Sequence, residues 1–162
     1  MRKIEYQVIG TIHSPHQTAG DMPIQPASAR GVEGEVHLTE EFADGLQDLA
    51  GFSHVILLYH FHQTEEPRLR VVPFLDQVER GVFATRAPVR PNPIGVSIVE
   101  LLEVDGNQLR IANVDILDGT PLLDIKPFIP QFDCPEEARI GWLADSISEI
   151  DRKQSDDRFS TK

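Results

Sequence analysis

The chain has 162 residues, including 12 prolines and a single cysteine, and its formal net charge at pH 7 is −11. This length predicts one domain with a core of its own, and the lone Cys134 excludes an internal disulfide and favours a reducing, cytoplasmic setting. Because a strongly acidic protein has no general affinity for nucleic acid, a nucleic-acid partner would have to bind at a local basic surface.

The first predicted elements are two strands and a short helix. Alternating apolar and polar residues predict strands at Tyr6–Ile12 and Val32–Leu38. Between them, residues 16–30 are rich in proline, glycine and small polar residues, which indicates a long loop of the kind that often carries function. A short helix is expected after the second strand, from Thr39 to Gly51, with acidic residues in its first turn.

The most apolar part of the chain is residues 53–61, where hydrophobic and aromatic residues are almost continuous. This pattern predicts a central strand that is buried on both sides. Shorter strands are predicted at Arg68–Phe74 and Gly81–Thr85. No aliphatic run approaches the ~20 residues of a membrane helix, and the first ten residues lack the apolar centre of a signal peptide, so we expect no membrane association.

The last third of the chain predicts a hairpin, a further strand and a terminal helix. Residues 96–104 and 108–117 flank Asp105-Gly106-Asn107, a favourable hairpin turn. Many short strands separated by turns predict an antiparallel barrel or sandwich. Apolar residues at helical spacing predict an amphipathic helix at about 135–150, followed by a polar, disordered tail at 151–162. Since no repeat or linker divides the chain, residues 1–150 are expected to form a single domain.

Residues 81–95, which read Gly-Val-Phe-Ala-Thr-Arg-Ala-Pro-Val-Arg-Pro-Asn-Pro-Ile-Gly, are the most informative segment. Each proline removes a backbone donor and fixes one dihedral, so the segment must form a stiff loop. Arg86, Arg90 and Asn92 project from this loop with little backbone freedom left to lose, an arrangement suited to a carboxylate, a phosphate or a purine edge. The alternative is a proline-rich surface turn whose arginines are only solvated.

Charge is distributed unevenly along the chain. Residues 68–97 contain five arginines against Asp76 and Glu79, a net charge of +3, whereas residues 98–162 contain fourteen acidic and seven basic residues. A basic patch on an acidic body would guide an anionic partner to one place.

Several common catalytic motifs are missing from the sequence. No Gly-x-Gly occurs, which argues against a Rossmann fold and a P-loop, and no Gly-x-Ser-x-Gly marks a hydrolase nucleophile. His54, His60 and His62 have the same parity, but zinc normally takes three or four protein ligands and no further ligand lies nearby, so no metal site is predicted. At the end of their strand, His62 and Gln63 are placed to hydrogen-bond a ligand or the edge of the core.

Three aspartates, Asp115, Asp118 and Asp124, cluster around a predicted turn. Aspartate is common in turns because its side chain bonds the local backbone, so Asp118 is either a turn residue or a site residue. Lys126 follows in the same apolar run and is expected to point into the same region.

Three parts of the sequence carry a resemblance to a known family. They are Phe52-Ser53-His54 with Phe61-His62-Gln63, the segment 81–95, and residues 118–130, which read Asp-Gly-Thr-Pro-Leu-Leu-Asp-Ile-Lys-Pro-Phe-Ile-Pro. Together they resemble the TsaA-like family, which contains the TrmO-type tRNA methyltransferases, and the similarity runs from about Tyr6 to Pro130. It implies a mainly β fold, an antiparallel β-barrel that binds S-adenosylmethionine without a Rossmann fold and forms a homodimer.

TrmO-type members methylate the exocyclic N6 of threonylcarbamoyladenosine, the modified base next to the anticodon in certain tRNAs. The resemblance therefore implies a cytoplasmic, S-adenosylmethionine-dependent tRNA (adenine-N6)-methyltransferase, with tRNA rather than DNA as its partner. The residues implied for cofactor binding are Pro26, Ala27, Ser28, His62, Gln63, Arg86, Val96, Ala112, Asn113, Val114 and Asp115. Arg90 and Asn92 would lie at the mouth of the site, available to the RNA or to a dimer partner.

Methyl transfer from a sulfonium needs alignment and exclusion of water more than a dedicated nucleophile. For the proton of the accepting nitrogen, Asp118 and Asp124 are candidate acceptors if their surroundings raise their pKa values, with Lys126 as a third candidate in the same region. Ile24 and Ala87 depart from the arginine and serine that many members of the family have at these positions. An alternative is a dimeric barrel that binds or senses S-adenosylmethionine without catalysis, and a third possibility is a purely structural barrel.

Overall fold

A computed structural model of the chain describes residues 2–19, 29–74, 76–145 and 159. In chain order, its strands are β1 (Gly10–His13), β2 (Glu33–Leu38), β3 (His54–His60), β4 (Arg70–Val71), β5 (Arg80–Gly81), β6 (Ile94–Asp105), β7 (Gln108–Ala112) and β8 (Thr120–Pro127). Six of them close into a barrel in the order β1-β2-β7-β6-β3-β8, and β4 pairs with β5 in a separate ribbon. All pairs are antiparallel, which confirms the predicted mainly β fold and antiparallel barrel.

The hydrophobic core lies inside the barrel because inward-facing residues alternate with outward-facing ones along each strand. In β3, the buried residues Val55, Leu57 and Tyr59 alternate with half-buried ones. The prediction that this strand is buried on both sides is therefore wrong, since a barrel wall has only one face on the core. Further core residues from the strands are Ile12, Val36, Val99, Leu109, Ile111 and Leu122.

The hairpin predicted at Asp105-Gly106-Asn107 is confirmed and joins β6 to β7. Its register pairs Asp105 with Gln108 and Leu101 with Ile111. Gly106 has a φ of 57°, a left-handed conformation that glycine adopts without steric cost.

The helix expected after β2 forms two 3-10 turns, Glu40–Leu46 and Leu49–Gly51, in place of an α-helix. Between them, Asp48 has a left-handed φ of 65°, which interrupts a continuous right-handed helix. Thr39 has the extended backbone of an N-cap residue but makes no side-chain cap hydrogen bond. The turns nevertheless bury apolar residues against the barrel core, at the end where β2 finishes and β3 begins.

The chain between β3 and β6 builds a second, smaller apolar cluster. The strands predicted at 68–74 and 81–85 are only two residues long in the structure, because Pro73 cannot donate to a ladder and Val82–Ala84 form a 3-10 turn. The buried members of the cluster are Val71, Val82, Ala87, Val89 and Phe159, with Phe74 packed against them.

The C-terminal part differs from the prediction. Residues 134–140 are not helical, although a short helix α1 (Pro130–Asp133) precedes them and a 3-10 turn, Gly141–Asp145, follows. Gly141 has a φ of 59°, which is incompatible with a helix running through it. Phe159, in the tail expected to be polar and disordered, is buried, and its ring centre lies 5.1 Å from that of Phe74.

The rest of the predicted terminal helix and tail lies outside the described residues. Within the described ranges, no helix has the length and apolar character that crossing a membrane requires.

Candidate functional site

One end of the barrel has an incomplete hydrogen-bond ladder. Here β3 ends, β6 begins, β7 ends and β8 begins, and Tyr59 pairs with both Gly95 and Leu122. Along its first half, β6 pairs with β3, but it meets β7 only from Glu100 onward. The irregular residues 113–119, which we term the site segment, take the place of a strand there. Of the polar residues singled out in the sequence, Asp115 lies on this segment, and His62 and Gln63 follow the end of β3.

Three buried side chains cross the gap: Tyr59 of β3, Ser97 of β6 and Asp115 of the site segment. The hydroxyl of Ser97 donates to Oδ1 of Asp115 at 2.6 Å, and the hydroxyl of Tyr59 lies 3.0 Å from Oγ of Ser97. Since Ser97 has one proton to give and donates it to the carboxylate, Tyr59 must donate to Ser97. The series of hydrogen bonds from Tyr59 through Ser97 to Asp115 is therefore directional, with both hydroxyl protons pointing toward Asp115. Such hydrogen bonds strengthen one another in a buried setting.

The ring of Tyr59 is fixed by its neighbours. It packs over Gly95 of the adjacent strand, where an added Cβ would collide with the ring. On another side, the ring of Phe61 meets it edge-on at 5.5 Å between ring centres. The direction of the Tyr59 hydroxyl, and with it the hydrogen-bond chain, is set by this packing.

Burial raises the pKa of Asp115 to about 7, although the hydrogen bond from Ser97 and the positive charge of Arg86 act in the opposite direction. Burial, together with the charge of Asp115, also raises the pKa of the Tyr59 hydroxyl, so this group stays protonated. The positive charge of Arg86, an exposed residue, lowers both pKa values. A buried carboxyl whose pKa is raised this far is typical of a functional site.

The site segment is held by hydrogen bonds to the neighbouring chain. Asn113 has a left-handed φ of 64°, and its Oδ1 accepts a bond from the backbone N–H of Gly31 at 3.0 Å. The backbone N–H of Val114 donates to Val32 at 3.2 Å, and its carbonyl accepts from Nε2 of His16 at 3.0 Å. These bonds fix the backbone on which Asp115 is mounted.

His62 and Gln63 lie directly after β3, at the same end of the barrel. Oγ1 of Thr120 donates to the carbonyl of Leu117 at 2.8 Å, so it has no proton left for Nδ1 of His62, 3.3 Å away. Nδ1 must therefore carry the proton, and Nε2 accepts from Gln63 at 3.3 Å. This neutral form agrees with the pKa of His62, which is lowered by burial and by the nearby His60.

Asp118 behaves as a turn residue. Its Oδ1 accepts bonds from the backbone N–H of Ser14 and from Nδ1 of His13, both at 3.2 Å. The bond from Ser14 lowers the pKa of Asp118, and Gln17 and His13 contribute in the same direction. Asp118 was a candidate proton acceptor only if its pKa was raised. The pKa of Asp115 is raised, whereas that of Asp118 is lowered.

Asp124 and Lys126 lie on the outer wall of the barrel. The side-chain oxygen Oδ2 of Asp124 and Nζ of Lys126 form an ion pair at 2.6 Å, and the two side chains are 44% and 58% exposed. In β8, Leu122 and Asp124 pair with the consecutive residues Tyr59 and Leu58, so a bulge at Leu123 reverses the inward and outward alternation. The expectation that Asp124 and Lys126 share a region with Asp115 is therefore wrong.

Arg90 points into its own loop rather than out of the site. Its Nη1 lies within hydrogen-bond distance of the carbonyls of Val82, Thr85 and Ala87. The prediction that Arg90 is available to an RNA or a dimer partner is not supported by this geometry. Asn92 is exposed, and its carbonyl accepts from the backbone N–H of Ile94 at the start of β6.

The basic patch expected at residues 68–97 is partly neutralised inside the protein. Three of its arginines form ion pairs with nearby acidic residues: Arg68 with Glu65, Arg70 with Glu79 and Arg80 with Asp76. Glu65 lies just outside residues 68–97, for which the net charge is +3. The charge of the folded surface around these arginines is therefore less positive than that value.

The remaining predicted residues are less close to the chain of buried side chains. Val96 faces the outside of the barrel, Ala112 is buried at the end of β7, and Pro26, Ala27 and Ser28 lie outside the described residues. In the part of the chain that the structure describes, no three His, Cys, Asp or Glu side chains form a group that could hold a metal ion.

Tyr59, Ser97 and Thr120 are not among the site residues predicted from the sequence. All three are polar residues at buried positions of strands whose other buried residues are apolar. A polar side chain at an inward position of a barrel strand is the signal that would have identified them, because buried polar groups need partners.

The fold and the site together define a class of protein. It is a closed antiparallel barrel with a polar, partly buried site at the end where β6 and the site segment are not paired as strands. Within this class, residues 11–134 match the model of the tRNA-methyltransferase O N-terminal domain, and the chain belongs to this family. The predicted resemblance to the TsaA-like family is thereby confirmed.

Similar proteins include both named binding proteins and a named enzyme. The chain is 53% identical over 154 residues to a probable S-adenosyl-L-methionine-binding protein of Pyrococcus abyssi, covering 95% of this chain and 84% of that protein. It is 41% identical over 140 residues to the tRNA (adenine(37)-N6)-methyltransferase of Escherichia coli, covering 80% of this chain and 60% of that enzyme.

A solved structure shares the fold. The crystal structure of TrmO from Pseudomonas aeruginosa superimposes with a TM-score of 0.73 at 37% identity, covering 87% of this chain and 63% of that one. The chain thus spans less than two thirds of the length of both the Escherichia coli enzyme and the Pseudomonas aeruginosa protein.

Proposed function

We propose that this protein is an S-adenosylmethionine-dependent methyltransferase that modifies the exocyclic N6 of an adenosine in tRNA. The observation that carries the proposal is the buried series of hydrogen bonds from Tyr59 through Ser97 to Asp115 at the gap between β6 and the site segment, with the pKa of Asp115 lowered by the charge of Arg86. Family membership supports it, because a relative at 41% identity is named as a tRNA (adenine(37)-N6)-methyltransferase.

The residues at the gap fit the chemistry of this cofactor. Its amino-acid part carries a carboxylate and an ammonium group, and an arginine beside a buried carboxyl offers a partner of opposite charge to each. His62, Gln63 and Thr120 add hydrogen-bonding groups at the same end of the barrel. When bound, the cofactor supplies a methyl group that is activated by a positively charged sulfur.

The chain's own residues would then bind and orient the cofactor and shield the reacting groups from water. Arg86 and Asp115 fix the charged end of the cofactor, and the chain from Tyr59 through Ser97 keeps the Asp115 carboxyl in one orientation. A site on a rigid barrel wall lowers the cost of aligning donor and acceptor. No side chain needs to act as a nucleophile in this scheme.

For the substrate, we propose threonylcarbamoyladenosine next to the anticodon. The support is the sequence resemblance to TrmO-type enzymes and the relative whose name specifies position 37. An alternative is a dimeric protein that binds S-adenosylmethionine without catalysis. It is favoured by relatives such as the Pyrococcus abyssi protein, which are named only as binding proteins, and by the pairing of Arg68, Arg70 and Arg80 with acidic residues.

In the deciding experiment, tRNA that carries threonylcarbamoyladenosine without the N6-methyl group is treated with purified protein and S-adenosylmethionine. The nucleosides are then analysed by mass spectrometry. We expect a mass increase of one methyl group on threonylcarbamoyladenosine, and no increase on tRNA that carries unmodified adenosine at that position. The Arg86→Ala variant serves as the negative control. Cofactor binding without methylation of any cellular RNA would support the binding protein instead.

We further propose that the protein is a cytoplasmic homodimer. The outward side chains of Ile94, Val96 and Ile98 form an apolar strip on β6, each about 40% exposed, which is a surface that a second copy would cover. Sedimentation equilibrium should give about twice the chain mass of 18.2 kDa, and Val96→Glu should shift it toward one chain. A wild-type mass of one chain would contradict the dimer.

A further inference from the structure

The guanidinium of Arg90 lies inside the turn that carries Arg86. Its Nη1 is 2.9 Å from the carbonyl oxygen of Thr85 and 3.1 Å from that of Ala87, with the carbonyl of Val82 at 3.3 Å. The carbonyls of Thr85 and Ala87 belong to the residues directly before and after Arg86. The guanidinium of Arg90 therefore bridges the backbone on both sides of Arg86, the residue whose charge lowers the pKa of Asp115.

Other bonds hold the turn as well: the N–H of Val82 donates to the carbonyl of Leu69 at 3.0 Å, and Nε1 of Trp142 donates to the carbonyl of Ala84 at 2.8 Å. The backbone N–H and the hydroxyl of Thr85 both donate to the carbonyl of Val82, at 3.1 and 2.9 Å. The N–H of Ala87 donates to the Thr85 hydroxyl at 3.2 Å. These bonds close the turn and tie it to neighbouring segments, and the bonds of Arg90 connect its two ends to the later part of the loop.

Arg90 is itself well fixed. It is half-buried, its backbone N–H donates to the carbonyl of Pro88 at 2.8 Å, and its guanidinium carbon lies 5.9 Å from the ring centre of Phe83. The neighbouring Val89 is buried in the second apolar cluster. A planar, always charged group in such a setting can bridge several carbonyls, whereas the flexible ammonium of lysine has a different geometry.

We infer that Arg90 is a positioning residue, which holds the turn around Arg86 and so sets the place of the Arg86 charge at the cofactor site. The inference rests on the proposed function, since it assigns Arg90 to the binding of the same cofactor. It also replaces the expectation that Arg90 contacts RNA: Arg90 acts through Arg86 and not on a ligand of its own.

A double-mutant cycle tests this relation. Binding of S-adenosylmethionine is measured by calorimetry for the wild type, Arg86→Ala, Arg90→Ala and the double variant. Arg90→Ala should weaken binding about tenfold alone and leave it unchanged once Arg86 is absent, because residues that act as a unit are not additive. Arg90→Lys should recover part of the loss, and Arg110→Ala, which removes an exposed arginine paired with Glu103, should have no effect.

A second measurement needs no ligand. Carbon-13 NMR of the Asp115 carboxyl gives its titration midpoint, which Arg86 lowers in the wild type. In Arg90→Ala the midpoint should rise by roughly half a pH unit, and no further rise should follow in the Arg86→Ala background. If Arg90→Ala fails to fold, Arg90→Lys carries the same comparison with a smaller shift.

Two outcomes would overturn the inference: an effect of Arg90→Ala that persists at full size without Arg86, or an Asp115 midpoint that does not move in Arg90→Ala. A wild-type protein that does not bind S-adenosylmethionine would overturn the proposed function instead, and the Asp115 titration would still decide the role of Arg90.

Discussion

Replacing Arg86 by alanine is expected to weaken S-adenosylmethionine binding by about a hundredfold, because a charged partner of the cofactor carboxylate is lost from a partly desolvated site. The same change should raise the pKa of Asp115, since the charge of Arg86 lowers it in the wild type. Both effects have one cause, the loss of a positive charge beside the site segment. Calorimetry measures the first, and carboxyl NMR measures the second.

Arg86→Lys separates the two contributions of the guanidinium. Lysine keeps the charge but loses the paired, planar donors, so it should restore the pKa of Asp115 more completely than it restores binding. The folding stability of both variants should stay close to the wild type because the residue is exposed. Tight binding retained by Arg86→Ala would show that the cofactor lies elsewhere on the barrel.

The parts of the fold that could be predicted are those that depend on local patterns. Alternation of apolar residues identified β2 and the end of the strand predicted at Tyr6–Ile12, whereas β1 itself comprises only Gly10–His13, and a continuous apolar run identified β3. Asp105-Gly106-Asn107 identified the hairpin, because glycine at a positive φ is a local requirement. The helix after β2 was predicted in place but not in type, since the sequence pattern does not indicate the left-handed backbone at Asp48.

Site residues could be predicted only where they directly follow or precede a predicted strand, because the end of the strand then determines where they lie. His62 and Asp115 lie at the same end of the barrel. Asp124 does not face them, because a single bulged residue in β8 reverses which side chains point inward, and alternation alone cannot reveal a bulge.

The inward turn of Arg90 also escaped prediction. A stiff loop limits the directions that a side chain can take, but it does not determine whether the guanidinium meets solvent or the backbone carbonyls of its own loop. The same holds for Arg70, whose partner Glu79 becomes a neighbour only once the loop has folded.

The Asp115→Asn variant is expected to be more stable than the wild type at pH 8 and weaker in cofactor binding. In the folded protein the pKa of Asp115 is about 7, above its ordinary value of 3.8, so between these values the folded state holds a proton that the unfolded state has released. Stability from this group therefore falls as the pH rises from about 4 to about 7. Asparagine does not titrate, and its side-chain oxygen can still accept the bond from Ser97.

The gain in stability should consequently depend on pH. From pH 5 to pH 8, the difference in unfolding free energy between Asp115→Asn and the wild type should grow by about 2–3 kcal/mol, measured by urea denaturation at each pH. Asp118→Asn is the matched control with the opposite sign: the pKa of Asp118 is lowered in the folded protein, so this variant should lose stability at neutral pH and lose less of it in acid. A buried carboxylate that destabilises the fold, yet cannot be neutralised without loss of binding, indicates a group that is kept for function. If Asp115→Asn were equally stable at both pH values relative to the wild type, or bound the cofactor normally, Asp115 would have to be assigned a structural role.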